Sequence, residues 1–106
     1  MTADKQDARA LDADITASIA DLAPSFLDAR RRDVVAISAA VERGDFDAIR
    51  RFGHNMKGSG GGYGFDPITR FGAALEEAAM HRHADEIRIQ NTQLQQYLDQ
   101  LRIEAS

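Results

Sequence analysis

His54 is the residue in this sequence best equipped for chemistry. An ordinary imidazole has a pKa of about 6.5, so near pH 7 it is mostly neutral and nucleophilic without an activating base. Around it, Phe46, Ile49, Phe52 and Met56 recur at helical spacing. At about 100° per residue, His54 falls roughly 140° around from Ile49, whereas Phe52 and Met56 stay within about 60° of it. His54 therefore points outward from an amphipathic helix. Its neighbours on that surface are Arg50 and Arg51 one turn before and Lys57 and Gly58 one turn after. Lys57 is within reach of any group bound to the imidazole.

Six of the eight glycines, Gly53, Gly58, Gly60, Gly61, Gly62 and Gly64, fall in this same stretch. Each costs about 1 kcal/mol relative to alanine where the backbone is helical, so the concentration needs a reason. A flexible loop is one; backbone kept bare for the close approach of another molecule is a second. A lone exposed histidine is ordinarily just solvated. Here the lysine and the cleared side argue for more, while Arg50 and Arg51 fit a solvated charged face equally well. Gly53 to Ser59 spaces two glycines like a P-loop, but the lysine precedes the second glycine instead of following it, and no G-x-G-x-x-G occurs.

The elements that would position this group read as helices, for strand-like alternation is nearly absent. Residues 1–10 read as a flexible N-terminal segment and 11–106 as one domain. Leu11, Ile15, Ile19 and Leu22 recur at helical spacing up to Pro24, which predicts a short first helix. A longer helix from Pro24 holds Phe26, Leu27, Val34, Ile37, Ala40 and Val41 and stops at Gly44. Asp45 is placed to cap the His54 helix, which runs into the glycines after Lys57. Asp66 and Pro67 read as the cap and first residue of a helix with Ile68, Phe71, Leu75 and Ala79, ending near His81 to His83. A last helix from about Asp85 carries Ile87, Leu94, Tyr97, Leu98 and Leu101 near one face. Short linkers between these helices imply an all-α fold: an antiparallel four-helix bundle with a short additional N-terminal helix.

Composition narrows the function classes. A chain of 106 residues with 43% hydrophobic content supports one modest core. The absence of cysteine excludes disulfides, thiolate metal sites and cysteine nucleophiles, and a reducing cytoplasm is the natural setting. No apolar run approaches the roughly 18 residues of a membrane span, and the first residues lack a signal-peptide core. A net charge of −4 argues mildly against general nucleic-acid binding.

The run His54-Asn55-Met56-Lys57-Gly58-Ser59, with Gly64 ten positions after the histidine, resembles the signature of histidine-phosphotransfer domains. The match extends to Phe26-Leu27, to Gly44-Asp45-Phe46 and to Leu75-Glu76, so that it covers about residues 20–103. The resemblance implies a helical bundle whose exposed histidine takes a phosphoryl group from a receiver-domain aspartyl phosphate and delivers it to another receiver's aspartate. Carried over by position, His54 is the phosphoacceptor, Lys57 the cation near the phosphoryl oxygens, Gly58 the small residue that opens access, and Ser59 a hydrogen-bond donor. Gly64 shapes the turn into the next helix, with Tyr63 and Phe65 as packing residues there.

Phosphoryl transfer asks chiefly for positioning and charge neutralisation. The expectation is a cytoplasmic, monomeric phosphocarrier without kinase activity of its own. It would need no cofactor or metal in this chain, the partner receiver supplying an acidic pocket and Mg²⁺. Its partners would be the receiver domains of response regulators and hybrid sensor histidine kinases, not nucleic acid or a membrane, with Arg50 and Arg51 steering an acidic receiver. Three other readings stand beside this one: a phosphoacceptor domain of a larger sensor kinase, a helical adaptor that binds a receiver or kinase domain without being phosphorylated, and a metal site of His81, His83 and Asp85 with His54 as a further ligand. Positions two apart on a helix do not face the same way, which disfavours the last.

Overall fold

A computed structural model describes the backbone of residues 5–105 and the side chains of 24–101; part of the expected flexible segment, residues 1–4, lies outside the described residues. Four helices follow in order: α1 (Lys5–Glu42), α2 (Phe46–Gly60), α3 (Asp66–Met80) and α4 (Ala84–Ala105), with a 3₁₀ turn at Gly61–Tyr63 between α2 and α3. α1 packs against α2 and α4, and α3 packs against the same two helices. Pairs across the interfaces run antiparallel. Arg31 reaches the Leu98 carbonyl and Asn91 the Val34 carbonyl across α1 and α4, while Gly60 abuts Thr69 and Gly53 abuts Glu76 across α2 and α3.

The expected break at Pro24 is absent. Among the described residues there is no separate first helix, because α1 runs through Pro24 as one helix of 38 residues. Proline's fixed φ near −65° is itself a helical value; what it forfeits is one N–H and room for the carbonyl four residues back. At an exposed position the helix bears that loss without parting in two.

The core follows the helical stripes. Ile37, Ile49, Met56, Ile68, Leu75, Ile87, Leu94 and Leu98 are all but completely buried, each helix contributing at least one. Burial of such a side chain stabilises by about 1.5–3 kcal/mol, so this layer is the main source of stability. Asn91 is the buried polar residue among the described core; its amide spans α4 to α1, donating to the Val34 carbonyl at 2.9 Å and to Ser38 Oγ at 3.2 Å.

The connections set where α2 sits. Gly44, at φ +71°, ends α1 in the left-handed turn that glycine adopts without a Cβ clash. Asp45 then caps α2 as expected, its Oδ1 accepting from the Ala48 N–H at 3.1 Å. At the other end of the bundle, Phe26 of α1 stacks on Tyr63 with ring centroids 4.2 Å apart and on Phe65 at 5.8 Å, while the Arg30 guanidinium lies 4.7 Å from the Phe26 ring centre. This aromatic stack anchors the glycine-rich turn to α1. Phe65, not Asp66, occupies the cap position of α3: its carbonyl accepts from Ile68 N–H at 2.9 Å, so Asp66 is the first helical residue and Pro67 follows it. Asp66 there puts a negative charge at the positive end of the helix.

Candidate functional site

α2 turns its apolar stripe, Ile49, Gly53, Met56 and Gly60, into the bundle and leaves His54 outside. The His54 side chain is 65% exposed, as the helical spacing requires. Its Nδ1 lies 3.1 Å from Oε2 of Glu76, and Lys57 Nζ lies 2.8 Å from Oε1 of the same carboxylate. The Glu76 side chain is only 16% exposed and joins the two residues from below. An ionised carboxylate can only accept, so Nδ1 carries the proton and donates it to Glu76. In the neutral ring this tautomer leaves the lone pair on Nε2. Lys57, the first cause, and then His54 hold the Glu76 carboxyl below the usual carboxylate range against the opposing effect of burial.

Glu76 reaches His54 because α2 and α3 touch backbone to backbone. A Cβ placed on Gly53 would lie 2.6 Å from the Glu76 amide nitrogen and 2.7 Å from the Gly72 carbonyl oxygen; one placed on Gly72 would lie 2.5 Å from the Lys57 nitrogen. Two mid-helix glycines facing each other thus let the helices approach closely, and that approach brings Glu76 under the imidazole. A similar contact, Gly60 against Thr69, closes the far end of the interface.

The glycine cluster therefore divides by purpose. Gly53 and Gly60 are interface residues, and Gly64, at φ +83°, makes the turn, its N–H donating to the Gly61 carbonyl at 3.1 Å. Gly58 alone among those next to His54 is bare toward solvent, with nothing within 4 Å of where its Cβ would be. Arg50 and Arg51 are both exposed one turn before His54, and neither has an ion-pair partner among the described residues. Ser59 is not brought to the imidazole: five residues on, it lies about 140° around the helix, and its hydroxyl is buried without a hydrogen-bond partner among the described residues. Tyr63 and Phe65 are packing residues, as expected. On the α3 side, Met80 stands one turn beyond Glu76 and is 60% exposed, a large apolar side chain on the same edge as the site.

Glu76 is the participant that the spacing around His54 left without a role. Its signal was the pair of glycines inside apolar helical stripes, Gly53 and Gly72, which no turn requires. The histidines at the end of α3 stand apart from the site. His81 Nε2 lies 2.8 Å from Glu77 Oε2, with the His83 ring 5.7 Å away, and no cluster of three or more metal-ligating side chains occurs among the described residues.

The site is thus an outward imidazole with one nitrogen on a carboxylate, a lysine on that same carboxylate and bare backbone alongside. In comparison with protein families, the Hpt domain model matches residues 21–104. The chain belongs to the Hpt domain family, the phosphocarrier modules of histidine phosphotransfer in phosphorelays. Searches of curated proteins and of solved structures returned no match. No helix among the described residues is long and apolar enough to cross a membrane.

Proposed function

We propose that this domain carries the phosphoryl group on Nε2 of His54, accepting it from the aspartyl phosphate of a hybrid histidine kinase's receiver and passing it to a response-regulator aspartate. The observation that carries this reading is the His54 Nδ1–Glu76 contact on a ring that is 65% exposed. In the neutral ring it directs the proton to Nδ1 and leaves Nε2 as the free, accessible nitrogen.

In the forward step the Nε2 lone pair attacks phosphorus, the acyl phosphate P–O bond breaks, and its electron pair leaves with the donor's carboxylate. The product is an N-phosphorylated imidazole whose Nδ1 keeps its proton, and the Glu76 carboxylate offsets the positive charge that develops on the ring. In the return step the acceptor's carboxylate attacks phosphorus and the P–N electron pair goes back to Nε2. Lys57, 44% exposed and one turn along from His54, is placed to reach the phosphoryl oxygens. Gly58 leaves room for the receiver. The partner's acidic pocket would hold the Mg²⁺ that neutralises the transferring group, so this chain needs no cofactor and has no kinase activity of its own. In this reading the protein works as a cytoplasmic monomer, with residues 11–106 as the functional domain.

Incubation with a phosphorylated receiver domain tests the reading. Wild type acquires acid-labile, base-stable label and His54→Ala acquires none; undiminished label on His54→Ala refutes it. If a His54→Gln protein retained the full biological function, the domain would be an adaptor instead.

A further inference from the structure

On the side of α2 away from Glu76, the surface falls into a shallow depression of about 350 Å³ lined by Arg43, Asp45, Ala48, Arg51, Phe52 and Asn55. Half-buried Phe52 and buried Ala48 give it an apolar patch, and Arg43, Asp45, Arg51 and Asn55 line the rest. Arg51 and Asn55 flank His54 in the chain, Arg51 one helical turn before it, so the depression adjoins the imidazole. An interface of ordinary size covers roughly 800 Å² on each partner, enough for a protein seated over His54 to extend over this neighbouring depression.

The charge of its rim is settled by pairing. Arg43 Nη2 lies 3.4 Å from Asp45 Oδ2, and the other oxygen of Asp45 is engaged in capping Ala48 N–H. Those two charges offset each other. Arg51 has no such partner among the described residues, and its charge is left over. The depression is thus a cup of mixed lining, apolar at Phe52 and Ala48, with one uncompensated cation, Arg51, a helical turn before His54.

We infer that this depression is the subsite that selects the partner receiver, taking an apolar side chain against Phe52 and Ala48 and an adjacent carboxylate against Arg51. The inference rests on the phosphoacceptor reading of His54 and adds to it which receivers are accepted. Arg50, one residue before Arg51, does not line this depression. Discrimination therefore lies with Arg51 and the cup, because a cation next to an apolar recess rewards a matched pair of side chains, whereas an isolated cation rewards any negative charge.

The test compares phosphotransfer kinetics from a purified, phosphorylated receiver domain, chosen from a panel as the fastest donor, to wild type, Arg51→Glu, Asn55→Glu, Arg70→Glu and His54→Ala. Arg51→Glu and Asn55→Glu are expected to raise the KM for the phosphorylated receiver about tenfold with kcat at saturation within about twofold. Arg70→Glu, exposed on a different face of α3, keeps the wild-type KM. A wild-type KM for Arg51→Glu overturns the inference, as does an equal rise for Arg70→Glu, which would indicate only a long-range field. Label on His54→Ala instead removes the phosphoacceptor reading; loss of label there with an unaltered Arg51→Glu removes the subsite alone.

Discussion

Two alanine substitutions one helical turn and a residue apart in α2 are expected to move stability in opposite directions. At Gly58 a methyl group meets nothing within 4 Å, so Gly58→Ala keeps the whole benefit of replacing glycine in an exposed helix, a gain of about 0.5–1 kcal/mol. At Gly53 the same methyl would stand 2.6 Å from the Glu76 nitrogen and 2.7 Å from the Gly72 oxygen. Ordinary contacts are about 3.5–4.0 Å, so α2 and α3 must part by about 1 Å. Neither obstacle is the flexible end of a side chain; both are backbone. Overpacking of this kind costs about 1–3 kcal/mol, more than the helix-propensity gain returns. The two variants should therefore differ by about 1–3 kcal/mol, which for a domain of this size separates their melting temperatures by roughly 5 °C or more. Urea unfolding followed by helical circular dichroism measures both midpoints directly. Equal stability, or Gly53→Ala the more stable, would refute the claim that backbone contact between α2 and α3 holds Glu76 in place.

Further outcomes follow from the same geometry. Lys57→Ala should accept phosphoryl about tenfold more slowly, roughly 1.4 kcal/mol of transition-state stabilisation, in the rate of label uptake at saturating receiver. Glu76→Ala should lower the fraction of His54 protonated at Nδ1, read from imidazole ¹⁵N shifts, a change that loosened packing alone would not produce. Because Glu76 is held below its ordinary value of 4.5, its pairing stabilises the fold fully above that pH and fades as pH falls through the lowered value. The gap in urea midpoint between wild type and Glu76→Gln should accordingly be present at neutral pH and narrow as the pH falls below 4.5. Gly64→Ala, forced into a left-handed backbone at φ +83°, should lose about 1–2 kcal/mol in the same unfolding assay.

Much of this protein is decided within single helices. The spacing of Ile49, Phe52 and Met56 determines both that α2 forms and that His54 faces solvent, since one period governs the buried and the exposed side. Asp45 as a cap and Gly44 as a terminator are equally local: each acts on backbone groups within a few residues. The cap of α3 falls at Phe65, one residue before Asp66, because the cap is chosen by which carbonyl starts the hydrogen-bond ladder, and stacking on Phe26 holds Phe65 there. Pro24 is a related case: local propensity disfavours proline in a helix, yet α1 continues through it.

What the chain order alone could not decide is what comes to meet His54. Glu76 lies 22 residues away and arrives only because Gly53 and Gly72, unremarkable separately, face each other and let two backbones touch. The cup beside Arg51 likewise joins the end of α1, the cap and one face of α2. Helical periodicity is a property of neighbours along the chain and can be read from residue types; the distance between two helices depends on side chains from both at once, and it appears only when they pack.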